Sequence, residues 1–187
     1  MQVAPDRWAL CVLAAVLVAA AITDVRLGKI PNLVTLPAIA IGLVGHTLAG
    51  GMAGSPGTMG LTDSLAGLAM GFVPMLLAWK AGGIGGGDAK LMAAVGALSG
   101  WEFTLSSMFY GLAVAAIMAI AVMLRRRVLR RTLARVGRFL FLVLARTRPG
   151  DPATAESPKV PFGLALCIGS AAAAVQFAVT GRMPRVF

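Results

Sequence analysis

Long apolar runs, separated by short stretches rich in glycine and proline, make up most of the chain. A helix needs about 20 apolar residues to cross the hydrocarbon core of a bilayer, and fewer where its flanking residues reach the interface. The pattern therefore predicts an all-α, polytopic membrane protein in which one domain, residues 1–187, contains six transmembrane helices. We place these spans at about residues 8–23, 33–49, 61–79, 89–100, 103–124 and 160–180.

The boundaries of two spans need more than their apolar content. The first span is expected to end at Asp24. Pro31 lacks a backbone donor and restricts the preceding residue, so Ile30 is predicted to be extended and a helix to begin near Asn32. The fourth apolar run, Lys90 to Ser99, is too short to cross a bilayer alone. It needs help from flanking residues, a tilt or a partly buried loop, because irregular backbone at membrane depth requires protein or a water-filled cavity around it.

The segment between the last two spans, residues 125–159, differs from the rest because it is basic. Apolar residues recur in it at spacings of four and three, along one face of a helix: Leu129, Leu133, Val136, Leu140 and Val143. Four arginines lie on another face: Arg127, Arg131, Arg135 and Arg138. This pattern predicts a basic amphipathic helix on the membrane surface, in contact with anionic lipid headgroups. A solvated loop that sets the topology is the alternative, and the two are compatible.

The composition favours a membrane protein over a soluble one. Apolar residues make up 58% of the chain, charged residues make up 13%, and the mean hydropathy is +0.86. A soluble domain of this length needs more polar surface. The formal net charge is +10, but most of the excess lies beside the spans, which argues against nucleic acid as a partner.

The positions of the basic residues also predict the orientation in the membrane. The loops after the first, third and fifth spans hold 14 of the 17 Lys and Arg residues. Because loops rich in Lys and Arg stay in the cytoplasm, both termini are predicted to lie on the opposite side. Asp24 and Asp88, which lie where spans meet these loops, are then both on the cytoplasmic side.

Three residues of types that often bind metals lie inside apolar runs. Cys11 and Cys167 have neither metal-ligand spacing nor a disulfide framework, so we expect them to be small buried residues. The single histidine, His46, is predicted to pack or to hydrogen-bond within the bundle rather than to bind a metal. No metal site is predicted.

Two aspartates at the ends of apolar runs are the candidate catalytic residues. Five glycines in the six positions from Gly82 to Gly87 lead directly into Asp88, and Asp24 follows the first run. A carboxylate at the edge of a membrane span is costly and by default marks a functional site. Two carboxylates brought close cannot both ionise easily, so one can take a proton from water while the other protonates a carbonyl oxygen. That is aspartyl-protease chemistry, and the glycines let the backbone approach a substrate peptide closely.

Simpler roles for the two aspartates stay open. Each could cap a helix at the interface, or pair with the nearby Arg26 or Lys90. A nucleotide-binding phosphate loop is disfavoured, because Asp88 stands where that motif requires a lysine and no parallel strands flank it.

The motifs around the aspartates resemble those of a known family. Gly85 to Asp88 matches the G-x-G-D signature of intramembrane aspartyl proteases. Asp24, Arg26 and Ile30-Pro31-Asn32 are similar to the first-aspartate region of the type IV prepilin peptidases. Further along the chain, Lys90 and Pro161-Phe162-Gly163 resemble other parts of that family's pattern. The resemblance therefore covers essentially the whole chain in order.

By this resemblance Asp24 and Asp88 are the catalytic pair. It also implies a set of residues that bind substrate or shape the site: Gly85, Gly87, Lys90, Arg26, Pro31, Asn32, Pro161, Phe162 and Gly163. The implied enzyme is a multi-pass endopeptidase of the bacterial inner membrane with periplasmic termini. It cuts the short basic leader from prepilins or pseudopilins on the cytoplasmic side, and it requires no metal or organic cofactor.

The short form of the family, as in tight-adherence (Flp-type) pilus systems, is the one that this chain resembles. Longer members carry an N-terminal domain with paired cysteines that methylates the new pilin N-terminus. The chain has no such cysteine pairs, so no methyltransferase activity is expected. Its oligomeric state is not indicated, since small-residue runs such as Gly67 to Gly71 fit close helix packing either within the chain or between copies.

Two functions from other classes use the same features. A small transporter or channel also contains intramembrane carboxylates and glycine-broken helices, although the sequence shows no inverted repeat. A non-catalytic subunit of a secretion machine would dock through the basic segment and would tolerate neutral residues at both aspartates.

Overall fold

The described part of the chain is mainly helical. The structure is a computed structural model that describes residues 6–55, 57–127, 134 and 161–180. These residues form five helices: α1 (Arg7–Leu27), α2 (Asn32–Gly50), α3 (Leu61–Lys80), α4 (Gly86–Arg125) and α5 (Phe162–Thr180). Each is long and apolar enough to cross a membrane. The all-α fold class is therefore confirmed, and the helices are those of a multi-pass membrane protein.

A reversal of the chain at Gly100 divides α4. This residue has φ 76° and ψ 176°, a positive-φ conformation that glycine adopts readily. A methyl group added to Gly71 of α3 would meet both the Met92 carbonyl oxygen and the Thr104 side chain. A straight helix would separate Met92 and Thr104 by about 18 Å, so the chain turns back between them.

The predicted fourth and fifth spans, 89–100 and 103–124, fall on the two sides of this turn. We refer to residues 86–99 as the first arm of α4; the second arm begins at residue 101. The prediction of six separate helices is not confirmed, because one helical element contains both spans.

The first arm lies at the centre of the helices. Every residue from 91 to 100 is buried, and so are Asp88 and Ala89 before them. The helix α2 approaches this arm closely, since a methyl group on Gly42 would lie 2.7 Å from the Ala97 carbonyl oxygen. Small residues make such approach possible. Protein thus surrounds the run that is too short to cross a bilayer alone, which gives its polar backbone the environment it requires.

The small residues of α3 also pack against the first arm. Gly67 lies directly against Gly96, and Gly71 lies against Met92. The Ser64 hydroxyl, which is fully buried, donates a hydrogen bond of 2.6 Å to the Ala97 carbonyl oxygen. The run from Gly67 to Gly71 therefore makes contacts within the chain, one of the two possibilities that the sequence left open.

A polar cluster of His46, Asp6 and Trp8 lies at the end of the helices where α1 begins. His46 of α2 is fully buried, and its Nε2 lies 3.1 Å from the Leu98 carbonyl oxygen. Its Nδ1 lies 3.6 Å from Oδ2 of Asp6, and its ring lies 4.9 Å from that of Trp8, centroid to centroid. The prediction that His46 hydrogen-bonds within the bundle is confirmed.

The two cysteines differ from each other in exposure. Cys167 of α5 is buried, as predicted, but Cys11 of α1 is exposed. The prediction for Cys11 is wrong because an apolar run in a membrane helix includes the face turned away from the protein, and that face contacts lipid rather than other helices.

The chain divides into two compact units, residues 1–115 with 161–187, and residues 116–160. The first unit contains every candidate site residue. Of the second unit the structure describes residues 116–127 and 134, and it includes the end of α4 at Arg125. The predicted basic amphipathic helix lies, apart from its first residues and Ala134, outside the described residues.

Candidate active site

The helix α1 places Asp24 in its last turn. The helix continues to Leu27, one turn beyond the predicted end at Asp24. Gly28 ends it in the left-handed conformation, with φ 61°, and donates its N–H to the Asp24 carbonyl oxygen at 2.9 Å. Because the backbone of Asp24 is helical and capped, its side chain leaves α1 in a fixed direction, and it is buried.

The start of α5 holds the Asp24 carboxylate. The Leu164 N–H donates a hydrogen bond of 2.8 Å to Oδ2 of Asp24, across 140 residues of sequence. This N–H belongs to the first turn of a helix, where backbone donors have no partner within the helix and the helix dipole favours negative charge. A methyl group on Gly163 would lie 2.9 Å from both Cγ and Oδ2 of Asp24. Glycine at this position therefore lets the first turn of α5 reach the carboxylate.

The first turn of α4 holds the Asp88 carboxylate in a similar way. Asp88 is the third residue of the helix and is 7% exposed. The Gly85 N–H donates to Oδ2 of Asp88 at 3.0 Å, and the Asp88 N–H donates to the Gly85 carbonyl oxygen at 3.1 Å. The bond from Gly85 to the Asp88 carboxylate is one half of a capping box, the half in which a side chain in the first turn reaches back to the residue before the helix.

The two aspartates lie close enough for their charges to interact, although 63 residues lie between them in the sequence. Both charges also act on the thiol of Cys167, which is 4% exposed on α5. The same end of the first unit thus brings together the end of α1, the start of α4 and the start of α5. The two aspartates indicated the first two of these elements, and the family resemblance indicated the third through Pro161, Phe162 and Gly163, but nothing in the sequence placed Cys167 beside the pair.

The remaining predicted residues lie around this pair in different roles. Lys90 donates a hydrogen bond of 2.8 Å from Nζ to Oδ1 of Asn32, which joins the starts of α4 and α2. Pro31 precedes α2, so the predicted start of a helix near Asn32 is confirmed. The Pro161 carbonyl oxygen accepts a hydrogen bond from the Ala165 N–H at 3.3 Å in the first turn of α5.

Arg26 lines an open apolar depression beside Asp24. This depression has a volume of about 300 Å³, and its lining residues are Ala21, Ile22, Val25, Arg26 and Leu164. Leu164 connects it to the site, since the same residue donates its N–H to Asp24. Phe162, at the first position of α5, packs against the hydrophobic core.

The simpler roles for the aspartates can be compared with this geometry. Neither aspartate forms an ion pair with a Lys or Arg among the residues that the structure describes. Asp88 does cap its own helix, as one simpler role requires, but the interaction with Asp24 is additional to that cap. Within the same residues, no group of three His, Cys, Asp or Glu side chains could hold a metal ion.

The geometry leaves one oxygen of each carboxylate for chemistry. The hydrogen bonds found in the described residues use Oδ2 of Asp24 and Oδ2 of Asp88. Each bond fixes the orientation of a carboxylate, so its Oδ1 is available to a water molecule or to a substrate carbonyl. Two oriented carboxylates that interact can divide the roles of base and acid between them.

Comparison with known protein families gives one match. Residues 11–120 match the type IV leader peptidase family, a range that includes Asp24, Asp88 and the glycines between α3 and α4. The comparison with curated proteins and the comparison with solved structures gave no match.

Proposed function

The chain belongs to the type IV leader peptidase family, and on this premise we propose that it is a prepilin peptidase whose catalytic residues are Asp24 and Asp88. In this proposal the enzyme removes the leader from type IV prepilins or pseudopilins at the cytoplasmic face of the bacterial inner membrane. The observation that carries the proposal is the meeting of two buried carboxylates from distant parts of the chain, each oriented by a backbone N–H.

The proposed reaction uses the two carboxylates in opposite protonation states. The ionised carboxylate takes a proton from a water molecule, whose oxygen forms a bond to the carbonyl carbon of the scissile peptide. The protonated carboxyl group gives its proton to the carbonyl oxygen. When the tetrahedral intermediate collapses, the C–N bond breaks, the leaving nitrogen takes the proton that came from water, and one hydroxyl group of the intermediate returns a proton to the other aspartate. Every proton in this cycle moves within the pair, the water and the peptide.

The N–H groups of Gly85 and Leu164 support this division of roles. Each orients one carboxylate through Oδ2, and a fixed orientation is what proton transfer to a reacting group requires. The burial of both aspartates keeps them from rotating freely into solvent. Two like charges in partly desolvated positions also favour a state in which the pair holds one proton.

The proposed substrate follows from the family resemblance and fits the surroundings of the site. A prepilin presents a basic leader followed by an apolar helix, so its cleavage site lies where a membrane segment begins. The apolar depression beside Asp24 offers space for side chains of such a segment at the same level as the carboxylates. We propose further that the basic segment after α4 contacts anionic lipid headgroups, because a basic leader would be repelled by it.

A cleavage assay tests this function directly. The purified protein in lipid nanodiscs is incubated with a prepilin that has a basic leader and an apolar helix, and the products are measured by mass spectrometry. We expect one cut, between the leader and the apolar segment. A protein that leaves the prepilin intact, but conducts ions or transports solutes in proteoliposomes, would contradict the proposal and favour the transporter alternative.

A further inference from the structure

Ile30 is unusual for a residue in a short connection between helices. It lies between α1 and α2, where neighbouring Lys29 is exposed, yet Ile30 is only 7% exposed. Connections of this kind normally run over the surface. Its burial therefore indicates that the side chain points into the protein rather than along the surface.

The Ile30 side chain contacts the start of α5. A methyl group placed on Gly163 would lie 2.8 Å from Cδ1 of Ile30 and 2.9 Å from Cγ of Asp24. Gly163 directly precedes Leu164, whose N–H holds the Asp24 carboxylate. The end of the Ile30 side chain is thus seated against the backbone that fixes one aspartate.

The same residue contacts the start of α4. A methyl group placed on Gly87 would lie 3.1 Å from Cβ of Ile30 and 3.2 Å from its carbonyl oxygen. Gly87 directly precedes Asp88 in the first turn of α4. Ile30 therefore lies between two glycines, and each glycine is next to a residue that carries or holds one of the two carboxylates.

We propose that Ile30 is a positioning residue that sets the separation between the Asp24 and Asp88 carboxyl groups by filling the space between Gly87 and Gly163. Its consequence for catalysis rests on the proposed peptidase function. Two like charges repel each other, so their separation must be fixed by packing rather than by their own interaction. A β-branched side chain suits this task, because it has few accessible rotamers and resists compression.

Substitutions that shorten the Ile30 side chain by different amounts should therefore have effects of different size. Ile30→Val removes Cδ1, the atom nearest to Gly163, and keeps both Cγ atoms as well as Cβ, which faces Gly87. Ile30→Ala removes Cδ1 and both Cγ atoms, so the space towards Gly163 is left empty, while Cβ and the backbone still face Gly87. Because displacements of about 1 Å at a catalytic pair can lower rates by about 100-fold, we expect kcat to fall about 5-fold in Ile30→Val and about 100-fold in Ile30→Ala, with KM within about 2-fold of wild type.

A matched variant separates positioning from general packing. Leu13 of α1 is 1% exposed and belongs to the same core, but it lies about three turns before Asp24. Leu13→Ala removes as many carbon atoms as Ile30→Ala, so it should lower thermal stability similarly and leave the kcat of the folded enzyme within about 2-fold of wild type. Equal effects of the two variants on kcat would show that Ile30 contributes only to the core, and would overturn the proposal.

A second measurement reports the separation without any cleavage. In a background with Cys11→Ser and Cys167→Ser, the pair Asp24→Cys and Asp88→Cys is oxidised, and the rate of disulfide formation is measured with and without Ile30→Ala. We expect Ile30→Ala to change this rate by at least about 5-fold and Leu13→Ala to change it by less than about 2-fold, because disulfide formation depends steeply on the distance between the two residues. Unchanged rates would overturn the proposal. If Ile30→Ala changes the rate of disulfide formation but the wild-type protein cleaves no prepilin, the role of Ile30 in spacing is supported and only the proposed function is contradicted.

Discussion

The helix α1 has an acidic residue near each end, and the two ends use it differently. Near its C-terminus Asp24 meets a second carboxylate, Asp88, and each is held by a backbone N–H. Before its first turn Asp6 meets an imidazole, that of His46, at 3.6 Å. One pair combines two groups of like charge, whereas the other combines an acid with a base.

The geometry at His46 allows an attraction between the acid and the base. A carbonyl oxygen only accepts hydrogen bonds, so Nε2 of His46 must donate its proton to Leu98. Nδ1 then faces Asp6 either as an acceptor or, in the imidazolium, as a second donor. One proton between Nδ1 and the carboxylate makes the interaction attractive, although the 3.6 Å between the two atoms is too long for a hydrogen bond.

The aspartate pair has no such attraction. Two carboxylates repel each other unless a proton or a bound water lies between them. A fold that holds both in place therefore maintains an arrangement that gains stability only from protons, water or substrate. This difference is the reason for assigning catalysis to one end of α1 and a structural role to the other.

The largest effect among the site-shaping residues is expected for Gly163→Ala. The added methyl group would lie 2.9 Å from Cγ of Asp24, so either the carboxylate or the start of α5 must move. We expect the rate of prepilin cleavage to fall by about 100-fold. The matched control is Gly83→Ala, where the nearest atom would be the Ala78 carbonyl oxygen at an ordinary 3.5 Å, and where the rate should stay within about 3-fold of wild type. Equal rates for the two variants would show that contact of α5 with Asp24 is not required.

At the opposite end, His46→Ala should lower stability rather than activity. The substitution leaves the Asp6 carboxylate without its partner in a partly buried position, and we expect a loss of roughly 3 kcal/mol in the free energy of unfolding. Unfolding in detergent and prepilin cleavage are measured on the same preparations. The double variant Asp6→Asn with His46→Gln should lose less than the single variant, because no unpaired charge remains. A His46→Ala protein that folds stably but no longer cleaves would place His46 in the catalytic machinery. It would contradict a purely structural role for that end of α1.

The smallest effect is expected at the hydrogen bond between Lys90 and Asn32, which lies beside the aspartate pair but does not contact it. The bond is exposed, so a double-mutant cycle with Lys90→Ala and Asn32→Ala should give a coupling of about 0.5–1 kcal/mol in stability. Each single variant should cleave within about 3-fold of wild type. If Lys90→Ala abolishes cleavage while Asn32→Ala does not, Lys90 contacts the substrate instead of only joining two helices.

The environment of Asp88 could be predicted from the sequence to a greater extent than that of Asp24. The partner of Asp88 is Gly85, three residues away, and a carboxylate that follows a glycine run at a helix start is a local signal. The partner of Asp24 is the Leu164 N–H, 140 residues away. A backbone N–H has no residue type, so no pattern in the sequence distinguishes Leu164 from its neighbours as that donor.

The turn at Gly100 shows a similar limit for the fold. Apolar content located the helices that are long and apolar enough to cross a membrane, because it depends on each residue's own hydrophobicity. It also placed the break between the fourth and fifth spans at residues 101–102, beside the observed turn, but it could not show that Gly100 makes the turn or that α3 packs closely on both sides of it. The exposure of Cys11 and the burial of Ile30 were missed for the same reason: both depend on which face meets another helix.

The most direct test of the proposed catalytic pair substitutes the same residue at both ends of α1. Cleavage of one prepilin is measured for Asp24→Asn, Asp88→Asn and, as the matched control, Asp6→Asn, each reconstituted in lipid nanodiscs. If the two aspartates are the catalytic pair, the first two variants insert normally and lose about 1,000-fold or more in rate, while Asp6→Asn stays within about 3-fold of wild type. Normal cleavage by Asp24→Asn or Asp88→Asn, or an equal loss in all three variants, would contradict this assignment.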